Sequence, residues 1–313
     1  MKTIRIKFDQ LFPGFNPEDN WFINLLSERF KVELSENPDF FFFTHSYYGQ
    51  KDYLKYKCHR IFFGGENIRA NWDICDYVLD SDYYPSNARH KRLPLWVTWG
   101  TSLLTKKKDT DAFLGKEKFC CMLVSNPKAK ERIEFFHQLS KYKKVDSAGR
   151  YLNNIGGSVT NKMEFIKDYK FVISFENSSY PGYTTEKLVE PMLVNSIPIY
   201  WGNPRVHEDF NTKSFINVTD YRSYEEVIEK IIGLDRNESA FQNVVNEPWF
   251  NNNRIPEEFT REKILDFFEF VIEDSSKKRP VATLPLKDIK HRYALLKTNV
   301  QFELKKRFLN KKI

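Results

Sequence analysis

From Phe171 to Pro204 the chain reads FVISFENSSYPGYTTEKLVEPMLVNSIPIYWGNP, two apolar strand-like runs separated by a polar turn and a helix-length segment. A strand–helix–strand unit of this length is a crossover. It commits the chain to a parallel sheet with helices on its faces. In such a sheet, ligands bind beyond the carboxyl ends of strands, beside helix N-termini. That junction is loaded here with Glu176, Asn177, Tyr183, Glu186 and Lys187. A helix N-terminus offers free N–H groups and partial positive charge, which suits phosphate. Residue preference alone places acids in a first turn, so Lys187 implies an anionic ligand that offsets its cost. Asn177 and Tyr183 supply hydrogen bonds, and Glu186 is suited to sugar hydroxyls or an electron-poor ring. Ordinary capping competes with this reading, with Thr184 or Thr185 as N-cap and Glu186 as a favourable first-turn acid.

The rest of the chain supports strand–helix alternation. KTIRIKF reads as a first strand and EDNWFINLLSERF has helical spacing. DFFFFTH, RIFFGG and DYVLD read as buried strands, and LPLWVTWG closes the block. The polar stretch TSLLTKKKDTDAFLGKEK is expected to link two domains. Beyond it come strand KFCCMLVSNP, helix AKERIEFFHQLSKY, the segment KVDSAG, a loop with Gly156 and Gly157, and helix NKMEFIKDY. After the opening unit follow strand SFINV and helices SYEEVIEKII and EKILDFFEFVIE. This predicts an α/β protein with a doubly wound parallel sheet. At 313 residues the chain exceeds what one core usually serves, so two domains are expected, over 1–108 and 116–275, with a tail over 276–313.

Charge separates that tail from the body. The net charge is +7, while residues 277–313 carry twelve Lys/Arg against two Asp/Glu, so the tail is +10 and the remainder −3. Leu286, Ile289, Tyr293, Leu296, Val300 and Leu304 recur every three or four residues, forming one apolar stripe on a basic amphipathic helix. It either packs on the body or docks on an anionic membrane surface. A nucleic-acid-binding role, suggested by the pI of about 9.0, is opposed by the acidic body. Cys58, Cys75, Cys120 and Cys121 show no metal-ligand spacing and read as buried free thiols. The expected compartment is therefore the reducing cytoplasm. No apolar run approaches the ~20 residues needed to span a bilayer, and MKTIRIKFDQLF is too interrupted for a secretory signal.

Two further stretches repeat the loaded-junction design. SNPKAKERIEFF ends a strand and starts a helix with Arg132 in its early part, where a guanidinium can hold a diphosphate bidentately. In FFGGENIRANWDICDYVLDSDYY, Glu66 follows two glycines at a strand end, a suitable place for a general base. With these residues the sequence resembles the α-1,3/α-1,4-fucosyltransferases of glycosyltransferase family 10. The similarity rests on FVISFENS with GYTTEKLVEPMLVNSIPIYWGNP, SNP with Arg132, VDSAG…NNIGG, GGEN, and DYVLDSD followed by LPLW, over roughly residues 58 to 272.

The resemblance implies a GT-B arrangement: two Rossmann-like domains facing across a cleft, the acceptor side N-terminal and the donor side C-terminal. It implies inverting transfer of L-fucose from GDP-β-L-fucose to an N-acetyllactosamine-type glycan, α-1,3 most readily. Glu66 matches the general base, and Ser125 and Asn126 match strand-end donor contacts. Arg132 matches the diphosphate-binding arginine. Asn177, Tyr183, Glu186 and Lys187 match the donor-binding set, with Glu186 also facing the reacting sugar. Tyr77 lies where the family has a donor-contacting tyrosine. No metal is required, although a divalent cation can assist GDP release. The Asp-x-Asp sequences at Asp80–Asp82 and Asp109–Asp111 need not bind metal. Pro191 predicts a kink, or a short helix followed by a second one. A bacterial enzyme on the cytoplasmic face of the membrane, decorating a glycolipid, fits this picture. A GT-B enzyme using another nucleotide sugar is the alternative.

Overall fold

The computed structural model describes residues 1–45, 52–84 and 86–284. The chain divides into two compact α/β units. Unit 1 comprises Met1–Asp80, Tyr84–Arg92 and the segment beginning at Arg261; unit 2 comprises Ser81–Tyr83 and Leu93–Thr260.

Unit 1 is built on β1 (Lys2–Phe8), β2 (Phe30–Leu34), β3 (Phe40–Phe43), β4 (His59–Phe63), β5 (Tyr77–Asp80) and β6 (His90–Arg92). They form one parallel sheet in the order β2-β1-β3-β4-β5-β6. Every residue of β3 and β4 is buried, which is why both read as continuous apolar runs. Helix α1 (Trp21–Leu26) starts at Asn20, whose Oδ1 accepts from the Phe22 and Ile23 amides at 3.0 and 3.1 Å. It ends earlier than its helical spacing predicts, because Phe30–Leu34 pairs with β1 instead. That edge strand alternates only weakly, and its Lys and Glu side chains reach solvent.

Unit 2 contains α2 (Thr110–Leu114), β7 (Lys118–Leu123), α3 (Lys130–Leu139), β8 (Val145–Ala148), α4 (Lys162–Ile166), β9 (Tyr169–Phe175), α5 (Glu186–Leu193), β10 (Ile197–Trp201), β11 (Ile216–Asn217), α6 (Tyr224–Arg236) and α7 (Glu238–Asn246). Its sheet is parallel in the order β11-β10-β9-β7-β8, with β9 central. Cys120 and Cys121 point to opposite faces of β7 and both are buried. All four cysteines are free.

Three expectations are revised here. The stretch read as a linker packs into unit 2: Asp109 caps α2 through the Ala112 amide at 3.0 Å, and Leu104 and Phe113 are buried. Its charged residues hid two short apolar anchors. Helix α7 was not anticipated, because Asn237 ends α6 and caps α7 at once and leaves no loop to read. The final helix, α8 (Arg261–Ser276), read as part of the second block, packs in unit 1 against α1. Its Asp266 meets Arg29 at 2.7 Å, and Arg261 pairs with Glu28. Periodicity announces a helix but not whose core it covers.

The stripe from Leu286 to Leu304 lies outside the described residues. The chain is nevertheless anchored beyond α8: Val281 and Ala282 are buried, and the Val281 amide donates to Asp76 Oδ1 at 2.9 Å. Among the described residues, no helix is long and apolar enough to cross a membrane.

Candidate active site

β7 and β9 are neighbours and run parallel, so the loops that leave their carboxyl ends meet at one edge of unit 2's sheet. β9 stops at Phe175, and Glu176 follows it, 2 % exposed. The Glu176 carboxylate accepts from the Thr185 amide at 2.7 Å and from its hydroxyl at 2.8 and 3.0 Å. Thr185 is the N-cap of α5, its Oγ1 accepting from the Lys187 amide at 3.4 Å, as the capping reading expected. Lys187 Nζ lies 3.3 Å from Glu176 Oε2, 3.1 Å from Thr185 Oγ1 and 3.4 Å from Glu186 Oε1.

Arg132 sits in the first turn of α3, 5 % exposed. One Nη donates to the Phe175 carbonyl, while Nε is buried with no hydrogen-bond partner. Burial pushes the guanidinium's pKa down, and the charges of Glu176, Tyr183 and Glu186 oppose that shift. Those three groups therefore lie close to Arg132. Burial also pushes Glu186 up, but Lys187, Lys162 and the helix N-terminus outweigh it, and its carboxyl titrates below the usual range. Behind α5, Lys162 pairs with the buried Glu190. Arg132, Lys162, Lys187 and Glu190 line a cavity of about 50 Å³ there. Pro191 does not break α5, which runs for eight residues and then turns directly into β10 without a second helix.

The loop from Asn177 to Thr185 is held by a buried network. Gly182, at φ +87°, donates its amide to Asn203 Oδ1 at 2.8 Å, and Asn203 Nδ2 donates to Thr184 Oγ1 at 3.1 Å. The Tyr200 hydroxyl reaches the Tyr183 carbonyl at 3.3 Å. This presents Tyr183 on the inside of the loop and leaves Asn177 exposed. After β7, Ser125 and Asn126 are exposed; Ser125 Oγ accepts from the Arg150 amide at 3.4 Å and Asn126 Oδ1 from the Lys128 amide at 3.0 Å. Ser125, Asn126, Arg132, Asn177, Tyr183, Glu186 and Lys187 thus share one end of one sheet. Anionic oxygens would meet two cations and the N-terminus of α5 there.

In unit 1, Glu66 is half-buried in the turn after β4, its carbonyl accepting from the Ile68 amide at 2.7 Å. His45, just beyond β3, was not singled out in the sequence. Burial pushes its imidazole's pKa down, and the nearby Glu66 carboxylate opposes that. Its only signal was position, at the end of the strand next to the one that delivers Glu66. Tyr77 departs from expectation. It is 1 % exposed, and its hydroxyl donates to Asp274 Oδ2 on α8 at 3.1 Å. Buried aromatic hydroxyls take such partners, and here the partner is a carboxylate of the same unit. The two Asp-x-Asp sequences have structural employment: Asp80 bonds His90 Nε2 at 2.8 Å, and Asp109 caps α2.

Comparison with known proteins gives matches along the chain. Residues 113–270 match the family model described as glycosyltransferase family 10 (fucosyltransferase), C-terminal part, and residues 6–99 match the alpha-(1,3)-fucosyltransferase FucT N-terminal domain. The alpha-(1,3)-fucosyltransferase FucT of Helicobacter pylori is 30% identical over 294 residues, covering 80% of this chain and 62% of the relative. A putative fucosyltransferase of Acanthamoeba polyphaga mimivirus is 36% identical over 155 residues, covering 46% of this chain and 26% of the relative. The chain therefore spans less than two thirds of either relative. A crystal structure of an alpha1,3-fucosyltransferase with GDP-fucose superposes with a TM-score of 0.74 at 26% identity, over 87% of this chain and 91% of that one. One with GDP gives 0.73 at 27% identity, over 87% and 91%. The two Rossmann-like units are those of the GT-B fold.

Proposed function

The chain belongs to glycosyltransferase family 10, the fucosyltransferases, and from that membership we propose that it transfers L-fucose from GDP-β-L-fucose to a hydroxyl of an N-acetylglucosamine-containing glycan, with inversion and in α-1,3 linkage. One observation carries the donor half of this reading. Arg132 is a buried guanidinium with an unmet Nε donor, set beside Lys187 and the first turn of α5. Such a group calls for an anion with several oxygens, and a diphosphate provides them. The solved relatives that hold GDP-fucose and GDP support the nucleotide's identity.

In the proposed reaction Glu66 takes the proton of the acceptor hydroxyl as its oxygen bonds to the anomeric carbon. The bond from that carbon to the β-phosphate oxygen breaks, and GDP leaves with the electron pair. Positive charge gathers on the sugar ring in between, and Glu186 favours it. Arg132, Lys187 and the α5 amides stabilise the charge growing on the diphosphate. These fixed cations do what a divalent metal does elsewhere, so transfer persists in EDTA. Ser125, Asn126, Asn177 and Tyr183 complete the donor contacts, and Tyr77 does not take part.

The test is fucose transfer to N-acetyllactosamine with EDTA present, by wild type and Glu66→Gln. The wild type forms product. The variant keeps GDP-fucose binding and loses ~10²-fold or more in turnover. Unchanged turnover would remove Glu66 as the base.

A further inference from the structure

Glu176 is more deeply buried than any charged residue assigned to the donor site, with no side-chain exposure. Its socket is built for it. Gly202 follows the neighbouring strand β10, and a Cβ atom there would overlap the Glu176 side chain. A buried carboxylate is a poor stabiliser of a fold, because desolvation offsets much of its Coulombic gain. Capping α5 does not need it, since Thr185 already performs that task. What the carboxylate does is connect. It holds the Thr185 amide and hydroxyl, and it faces Lys187 Nζ at 3.3 Å. One residue earlier, the Phe175 carbonyl receives Arg132.

We propose that Glu176 is a positioning residue: together with the Phe175 carbonyl it makes the end of β9 a fixed seat from which Lys187 and Arg132 meet the leaving diphosphate. This role rests on the fucosyl-transfer reading above and goes beyond it. The seat orients the cations rather than adding affinity. The carboxylate competes with phosphate for Lys187 in the ground state. It keeps the ammonium where charge develops as GDP departs, and only interactions stronger in the transition state raise turnover. Burial pushes the Glu176 carboxyl up, and Lys187 opposes that.

Glu176→Gln separates this role from a structural one, because the amide oxygen still accepts from Thr185 while the charge is gone. Turnover per GDP-binding site is expected to fall ~10-fold or more. GDP affinity, by titration calorimetry, stays within ~3-fold of wild type or tightens. Glu176→Asp, which keeps the charge but draws it back from Lys187 by one methylene, gives the same split and serves if Glu176→Gln does not fold. Unchanged turnover in the folded variant overturns the proposal. So does a fall in GDP affinity equal to the fall in turnover, which makes Glu176 ordinary binding-site structure. A wild type that binds neither GDP nor GDP-fucose fails at the donor reading itself. Wild-type protein alone decides that outcome.

Discussion

Arg132 and Lys187 are the two side chains on which the proposed donor site depends, and they are held differently. Arg132 is buried with a donor unmet; Lys187 keeps 21% of its side chain exposed beside three oxygens. Removing either should weaken GDP binding and lower turnover together, because each meets the diphosphate before and during its departure. Arg132→Ala or Lys187→Ala is expected to cost ~10- to 100-fold in GDP affinity, by titration calorimetry, while Lys130→Ala at an exposed position of α3 leaves it unaltered. GDP affinity unaffected in both would end the phosphate assignment. Lys187 stands out in the sequence because a cation at the start of a helix contradicts residue preference, and Arg132 because it follows a second strand–turn–helix junction of the same design. A tyrosine beside a DSD sequence looks the same whether its hydroxyl faces a ligand or, as that of Tyr77 does, Asp274. Glu176 stood in the quoted junction, but nothing in one dimension shows that Thr185, nine residues on, folds back onto its carboxylate.

At the scale of elements, the loop between β9 and α5 shows how a segment without secondary structure is made rigid. Gly182 occupies a left-handed conformation, and a Cβ there would overlap the Ser81 carbonyl. Gly182→Ala is therefore expected to destabilise unit 2 by ~2 kcal/mol or more and to displace Tyr183, with turnover falling alongside. Denaturant unfolding and a transfer assay check both; a variant as stable and active as wild type contradicts the picture of a tied loop. The central strands and α3, α5, α6 and α8 were readable, since buried runs and apolar stripes report burial directly. The edge strand β2 and helices α2 and α7 were not. A half-exposed edge strand needs little alternation, and short helices packed by one or two residues leave little periodicity.

For the whole molecule, two parallel sheets followed from strand–helix alternation, whereas the assignment of segments to units did not. Unit 1 takes back the chain at Arg261, so the boundary of the basic tail also moves. Residues 281 and 282 are part of the fold, which makes Leu284 the place to cut. A chain ending at Leu284 separates the two readings of the tail: an unchanged unfolding transition with lost association with anionic vesicles supports membrane docking, and a lowered melting temperature supports packing on the body. A cut after Ser276 lowers the melting temperature, and vesicle binding retained after the Leu284 cut ends the membrane-docking reading of the tail. Similarity carries the donor's identity further than geometry does, because Arg132, Lys187 and the α5 N-terminus suit any nucleotide diphosphate. The central claim is therefore best tested by offering the wild-type chain GDP-fucose and GDP-mannose in parallel, with N-acetyllactosamine and EDTA, and weighing the product by mass spectrometry. The account predicts one added deoxyhexose, from GDP-fucose alone. Hexose addition from GDP-mannose, with no product from GDP-fucose, would contradict it.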